Sequence, residues 1–175
     1  AVRKLIDVDK VKAVIGFACS STVLSTAPLL NEAKIPALTP SASAAAISFA
    51  GDYIFRTWGS DDAAAAVLAN YIGRHHKRLG MLSEETDYAQ GFLKGIEKAR
   101  PEGLAVHNEN FLSETPDYRS MLAKLKHRGI DALFIASGIH RAAVMPAGEL
   151  GAAALGRLFA EKWVSAVAAA PTRYR

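Results

Sequence analysis

The sequence predicts an incomplete α/β protein: parallel-sheet βα units drawn from two lobes, followed by an atypical tail. Three observations carry this. Short apolar runs alternate with helical patterns between residues 11 and 136, which is the pattern of βαβ units and parallel sheets. Apolar runs break into small hydroxyl residues where a helix should begin, first at Val14-Ile15-Gly16-Phe17-Ala18-Cys19-Ser20-Ser21-Thr22. A polar turn at Gly59-Ser60-Asp61-Asp62 stops the series, which restarts at Arg78. The expected division is therefore 1–60 for part of a first lobe, 61–140 for part of a second, and 141–175 for an Ala-rich helical tail.

Taken in order, residues 1–10 read as a helix end. Residues 11–17 read as a buried strand, and a helix is expected from Thr22 to Lys34. Residues 35–39 form a second expected strand and 43–49 a short helix. The alternation and aromatics of Tyr53-Ile54-Phe55-Arg56-Thr57-Trp58 suit a third strand. Ser60 or Asp61 is a good N-cap for a helix over 63–76, and the acids favour its positive end. A strand over 78–82, a loop over 83–88 and a helix over 89–100 follow, the last stopped by Pro101 and Gly103. A strand over 104–111 leads to a capping turn at 113–117, a helix over 118–128 and Gly129 as its C′ residue. Residues 131–136 are the last expected strand. Beyond His140, Leu150, Leu155, Leu158, Phe159, Trp163 and Val167 supply an apolar helical face within 149–170.

Composition narrows the function classes. Half of the 175 residues are apolar and 22% charged, as in a globular chain. The net charge of +4 would suit an anionic partner, but the one basic cluster, Arg74-His75-His76-Lys77-Arg78, closes a predicted helix, where cations complement the dipole. No aromatics interleave with it, so no nucleic-acid partner is expected. No apolar run reaches membrane-spanning length. The chain opens mid-pattern, without a signal peptide, and reads as an interior fragment or a processed chain. Cys19, the single cysteine, is either a buried thiol or a half-cystine.

Enzymatic motifs are missing. No Gly-x-Ser-x-Gly elbow, Gly-x-Gly-x-x-Gly fingerprint or P-loop occurs. His75 and His76 are adjacent and so diverge on a helix, while His107, His127 and His140 show no ligand spacing. No cofactor and no metal are expected. Glu84, Glu85 and Asp87 read as solvated acids near a helix start. What remains is a set of polar strand ends: Ser20 and Ser21 after the first strand, Ser41 and Ser43 after the second, Tyr88 after the fourth. Helix N-termini at such places present unpaired N–H groups and hold small polar or anionic solutes. Each serine has a plainer role as an N-cap, and Tyr88 can simply pack its ring on the surface.

The segment Ile15–Thr22, followed by Ile35-Pro36-Ala37-Leu38-Thr39-Pro40-Ser41-Ala42-Ser43, resembles the branched-chain amino-acid-binding proteins, the periplasmic solute receptors of ABC importers with the two-lobed type I fold. Phe55-Arg56-Thr57 with Asp61 resembles their lobe crossing, and Asp87-Tyr88-Ala89-Gln90-Gly91 their Tyr-Gly turn. Thr115-Pro116-Asp117-Tyr118, through Leu125-Lys126 to Asp131-Ala132-Leu133-Phe134, resembles the helix and strand that follow. The likeness covers roughly residues 1–140. It implies a substrate α-carboxylate at Ser20 and the neighbouring N–H groups, including those beside Ser21. Ser41 and Ser43 would serve the carboxylate and ammonium, and Tyr88 would close from the second lobe. It also implies a disulfide from Cys19 to a partner upstream of residue 1, a periplasmic location and a membrane ABC permease as partner.

The chain departs from that pattern in places. Ala89 replaces the usual glycine after the tyrosine, and Gly138 stands where an aromatic or polar side chain often touches ligand. The family's first strand and helix are missing, as is the later portion that supplies an acidic partner for the ammonium. Residues 141–175, biased to Ala, Gly and Arg, read as the product of a frame shift in a GC-rich gene. The expectation is a solute-binding component of an amino-acid importer, partial and with impaired binding, and not an enzyme. The alternatives are the sensing module of a larger receptor, a non-binding remnant and a small α/β enzyme. Uncovered edges and apolar faces predict self-association.

Overall fold

A computed structural model describes residues 1–137. Gly138, His140 and the expected helical tail at 141–175 lie outside the described residues. The elements run α1 (Val2–Asp7), β1 (Val14–Ile15), α2 (Ser20–Glu32), β2 (Ala37–Thr39), a 3-10 turn (Ala45–Phe49), β3 (Ile54–Arg56), α3 (Asp61–His75), β4 (Arg78–Glu84), α4 (Asp87–Ala99), β5 (Ala105–Phe111), α5 (Arg119–His127) and β6 (Ala132–Ala136). They build two separate three-stranded sheets, ordered β1-β2-β3 and β5-β4-β6, with every pairing parallel.

The second sheet has both faces covered, as parallel sheets require. Its middle strand β4 is buried from Leu79 to Glu84. Leu79 and Met81 pack under α3 and α4 against Ala65, Ala69, Phe92 and Ile96. Leu82 packs on the other side with Phe111, Tyr118 and Leu122. Each large side chain so buried contributes about 1.5–3 kcal/mol. Small residues let α3 and α4 approach closely: a Cβ added at Gly95 would lie 2.8 Å from the Ala65 Cβ. That contact fixes the N-terminus of α3 beside α4.

Among the described residues, the first sheet is covered on one face only. Val23, Ala42, Ala44 and Ile47 form its core, with Phe17, Leu24 and Ile54 against them. The opposite face carries the in-register row Ile15, Leu38 and Phe55. Ile15 is 78% exposed and Phe55 52% exposed. The expected buried strand over 11–17 is therefore corrected to two paired residues, one of them exposed. No helix among the described residues packs on that row, and an uncovered face stabilises little pairing. The expected strand over 53–58 likewise shrinks to Ile54–Arg56, and Trp58 is exposed.

Three further boundaries differ from expectation. Strand β4 runs through Glu84, and α4 begins at Asp87 because the Thr86 hydroxyl caps the Ala89 N–H. Tyr88 thus sits in the first turn of α4, not in a loop. Helix α2 starts at Ser20, two residues early.

Candidate functional site

The site is built where the loops after β1 and β2 meet the start of α3. After β1 the chain turns through Phe17, whose left-handed φ of 61° is unusual for a bulky residue. The Thr39 hydroxyl holds that turn by donating to the Phe17 carbonyl at 2.6 Å. Two more bonds stitch the loops together. The Ser41 hydroxyl donates to the Ala18 carbonyl at 3.2 Å, and the Ala44 N–H donates to the Ser20 hydroxyl at 3.1 Å. Chain direction is thereby set so that α2 opens at the junction. Its N-cap, Cys19, makes no side-chain capping bond; its carbonyl takes the Thr22 and Val23 N–H groups, which leaves those of Ser20 and Ser21 to face an anion.

Ser43 connects this junction to α3. Its hydroxyl donates to the Asp61 carboxylate at 2.8 Å, while its carbonyl accepts the Asp61 N–H at 2.9 Å. Asp61 is 9% exposed. Burial pushes its carboxyl above the ordinary value; the Ser43 hydroxyl and the Arg56 charge pull it back part of the way, and Asp62 adds a smaller upward push. Burial also pushes the Tyr88 hydroxyl up, and the Asp61 charge adds to that shift.

The predicted residues divide by position. Ser20 and Ser43 are buried and share the peptide between Ser43 and Ala44; Tyr88 is half-buried in the first turn of α4, its ring 6.4 Å from that of Phe92. Ser41 is exposed at the rim. Ser21 lines a different space, a cleft of about 410 Å³ walled by Glu85, Thr86, Asp87, Gln90 and Asn110. Its second-sheet wall is held in place: the Gln90 amide donates to the Glu84 carbonyl at 3.0 Å and to Asn110 Oδ1 at 3.1 Å, and Asn108 donates to the same oxygen at 2.7 Å.

The sequence points three residues elsewhere. Asp61 reads as a helix cap and, with Arg56, as part of a lobe crossing, and nothing in the pattern Ser-Asp-Asp separates a capping acid from one turned inward. Arg56 has no further role in that reading. Glu84, expected to be a solvated acid, is 7% exposed and gathers the strand ends: it accepts from the Ser113 hydroxyl at 2.5 Å and the Ser137 hydroxyl at 2.9 Å. Glu85 and Asp87 are exposed, as expected. Cys19 is a free, exposed thiol, which corrects the buried-thiol alternative. Among the described residues, no group of three His, Cys, Asp or Glu side chains is placed to hold a metal ion, and no helix is long and apolar enough to cross a membrane.

Chemically, the junction offers hydroxyls and helix N–H groups for a carboxylate beside one buried carboxylate for a cation. That is the donor and acceptor set of a zwitterion.

The sequence pattern of the family described as periplasmic binding protein matches residues 1–153. The chain is similar to the leucine-, isoleucine-, valine-, threonine- and alanine-binding protein of Pseudomonas aeruginosa, 28% identical over 138 residues, covering 75% of this chain and 36% of that protein. Its fold is similar to the crystal structure of a leucine-binding protein from Thermotoga maritima, with a TM-score of 0.71, 26% identity and coverage of 75% of this chain and 39% of that one. It is also similar to a branched-chain amino acid transporter substrate-binding protein from Streptococcus pneumoniae in complex with isoleucine, with a TM-score of 0.65, 26% identity and coverage of 75% and 38%. The chain thus spans under two fifths of the length of these relatives.

Proposed function

Because this chain belongs to the periplasmic binding protein family, a family of solute receptors, we propose that it is part of the solute-binding component of an ABC importer for branched-chain or related amino acids. In this reading the two sheets belong to two lobes, the first ending near residue 60, and the solute's polar head sits at their junction. Its carboxylate takes the Ser20 hydroxyl and the first-turn N–H groups of α2, with Ser21 and Ser41 at the margin. Its ammonium takes Asp61 and the Ser43 hydroxyl, and Tyr88 closes from α4. No chemical step is involved. The protein works in the periplasm and passes its solute to a membrane permease.

One observation carries this reading: the bonded pair of Ser43 and Asp61 lies next to the uncapped start of α2, so anion and cation partners adjoin. Partners on both sheets would favour a closed state once solute is bound. Isothermal titration of the 175-residue chain with l-leucine and l-isoleucine tests it. Saturable binding that is lost when the solute's ammonium is replaced by hydrogen is the expected result. No binding to any of the aliphatic amino acids overturns it.

A further inference from the structure

We propose that Arg56 is the positioning residue of the solute cradle: its guanidinium clamps the carbonyls of Ser43 and Ala44 and so holds the Ser43 hydroxyl, the Ala44 N–H and the Asp61 carboxylate in one arrangement. Nη1 donates to the Ser43 carbonyl at 3.2 Å and to the Ala44 carbonyl at 2.9 Å. Nη2 donates to the Ser48 hydroxyl at 2.7 Å, which fixes the plane of the fork from outside the cradle. The Ser43 carbonyl has a second lone pair, and the Asp61 N–H takes it at 2.9 Å.

The position of these groups in the chain explains why this matters. Arg56 is the last residue of β3 and Asp61 the first of α3, so residues 57–60, the passage from one sheet to the other, hang between two donors on one oxygen. Rotating the peptide between Ser43 and Ala44 would take the Ser43 carbonyl off the Asp61 N–H and the Ala44 N–H off Ser20. Arg56 opposes that rotation from two adjacent carbonyls. Lysine has the charge but presents a single flexible point, and cannot hold two carbonyls and a hydroxyl at once. Cradle shape and the geometry of the crossing are therefore set by the same side chain.

The inference rests on the reading of Ser43 and Asp61 as head-group partners, and its test separates the two. In the 175-residue chain without solute, amide hydrogen exchange is measured for wild type, Arg56→Lys and Ser48→Ala. Arg56→Lys is expected to lower protection of the Asp61 and Ala44 amides about tenfold while leaving Met81 in β4 unchanged. Unchanged protection at Asp61 and Ala44 overturns the clamp, whatever the solute does. Titration with l-leucine follows. Arg56→Lys is expected to weaken binding about tenfold, and Ser48→Ala, which touches nothing in the cradle, about two- to threefold. The double variant should lose no more than Arg56→Lys alone, because Ser48 acts only through Arg56. Leucine binding by Arg56→Lys at wild-type affinity overturns the positioning role. A wild-type chain that binds no leucine, with protection still lost in Arg56→Lys, leaves the clamp standing and removes the amino-acid reading.

Discussion

Replacing Asp61 by asparagine should move stability and solute affinity in opposite directions. Asparagine matches aspartate in shape, and its Oδ1 can still accept the Ser43 hydroxyl bond that Asp61 accepts at 2.8 Å. What it removes is a charge that burial disfavours. A carboxyl whose pKa is higher folded than unfolded weakens the fold once ionised. The deficit is complete above the folded value and vanishes below the unfolded one, near 3.8. Asp61→Asn should therefore raise the melting temperature at neutral pH, and the gain should shrink as the pH falls through the raised folded value. Affinity should fall instead. A solute ammonium on a buried carboxylate makes a charge-assisted bond worth about 1.5–3 kcal/mol, so its loss costs roughly ten- to hundredfold in affinity. Wild-type affinity should also decline in acid as Asp61 takes up its proton, whereas Asp61→Asn should show no such decline. Calorimetry and thermal melts between pH 4 and pH 8 read both quantities. A variant that melts lower at neutral pH, or binds leucine as tightly as wild type, would refute the reasoning.

Two further outcomes follow from other parts of the fold. Replacing Phe55, 52% exposed on the uncovered row with Ile15 and Leu38, by aspartate should shift the chain from associated species to monomer in light scattering; a wild-type chain that is already monomeric at high concentration removes the premise. Asp131 accepts the N–H groups of Lys77 and Arg78 at 2.9 Å each and so ties the entry of β6 to β4. Burial acts to raise its carboxyl, but those two N–H groups, with His76, hold it below the ordinary value. Its contribution is thus present above about pH 4 and lost as the pH falls through the lowered value. Asp131→Ala should lower stability at neutral pH, by less than about 1 kcal/mol because the carboxylate is 45% exposed and screened by solvent, and the cost should shrink as the wild-type carboxyl takes up its proton, as followed by urea denaturation.

Order and type of elements were legible because they depend on local signals. Gly129 ends α5 with φ of 67°, and Ser60 caps α3 by accepting the Asp62 N–H. Alternation of apolar runs with helical patterns was sufficient to predict parallel sheets. Strand lengths in the first sheet were not legible. Ile15 and Phe55 have the composition of buried strand residues, and their exposure follows from what covers the sheet, which no window of sequence records. The polar strand ends were legible in part: Ser20, Ser41 and Ser43 bond the loops that meet at one junction, while Ser21 lines the cleft with Gln90 and Asn110.

Charged members of the junction escaped the sequence reading for a single physical reason. An acid at a helix start and an arginine at a strand end each have a sufficient local explanation, the dipole for one and solvent for the other. Their actual partners come from the loop over 40–44, thirteen and eighteen residues away from Ser43 in the chain. Local chemistry therefore predicts where a polar pocket forms in this fold, at the ends of parallel strands. It leaves open which charges are drawn inside, because that depends on how two loops close on each other. Serine is the residue that shows the difference. Ser20 stands inside α2 and accepts the Ala44 N–H, and Ser43 donates to Asp61, so neither serine spends its hydroxyl on capping a helix, the plainer role its position in the sequence suggests.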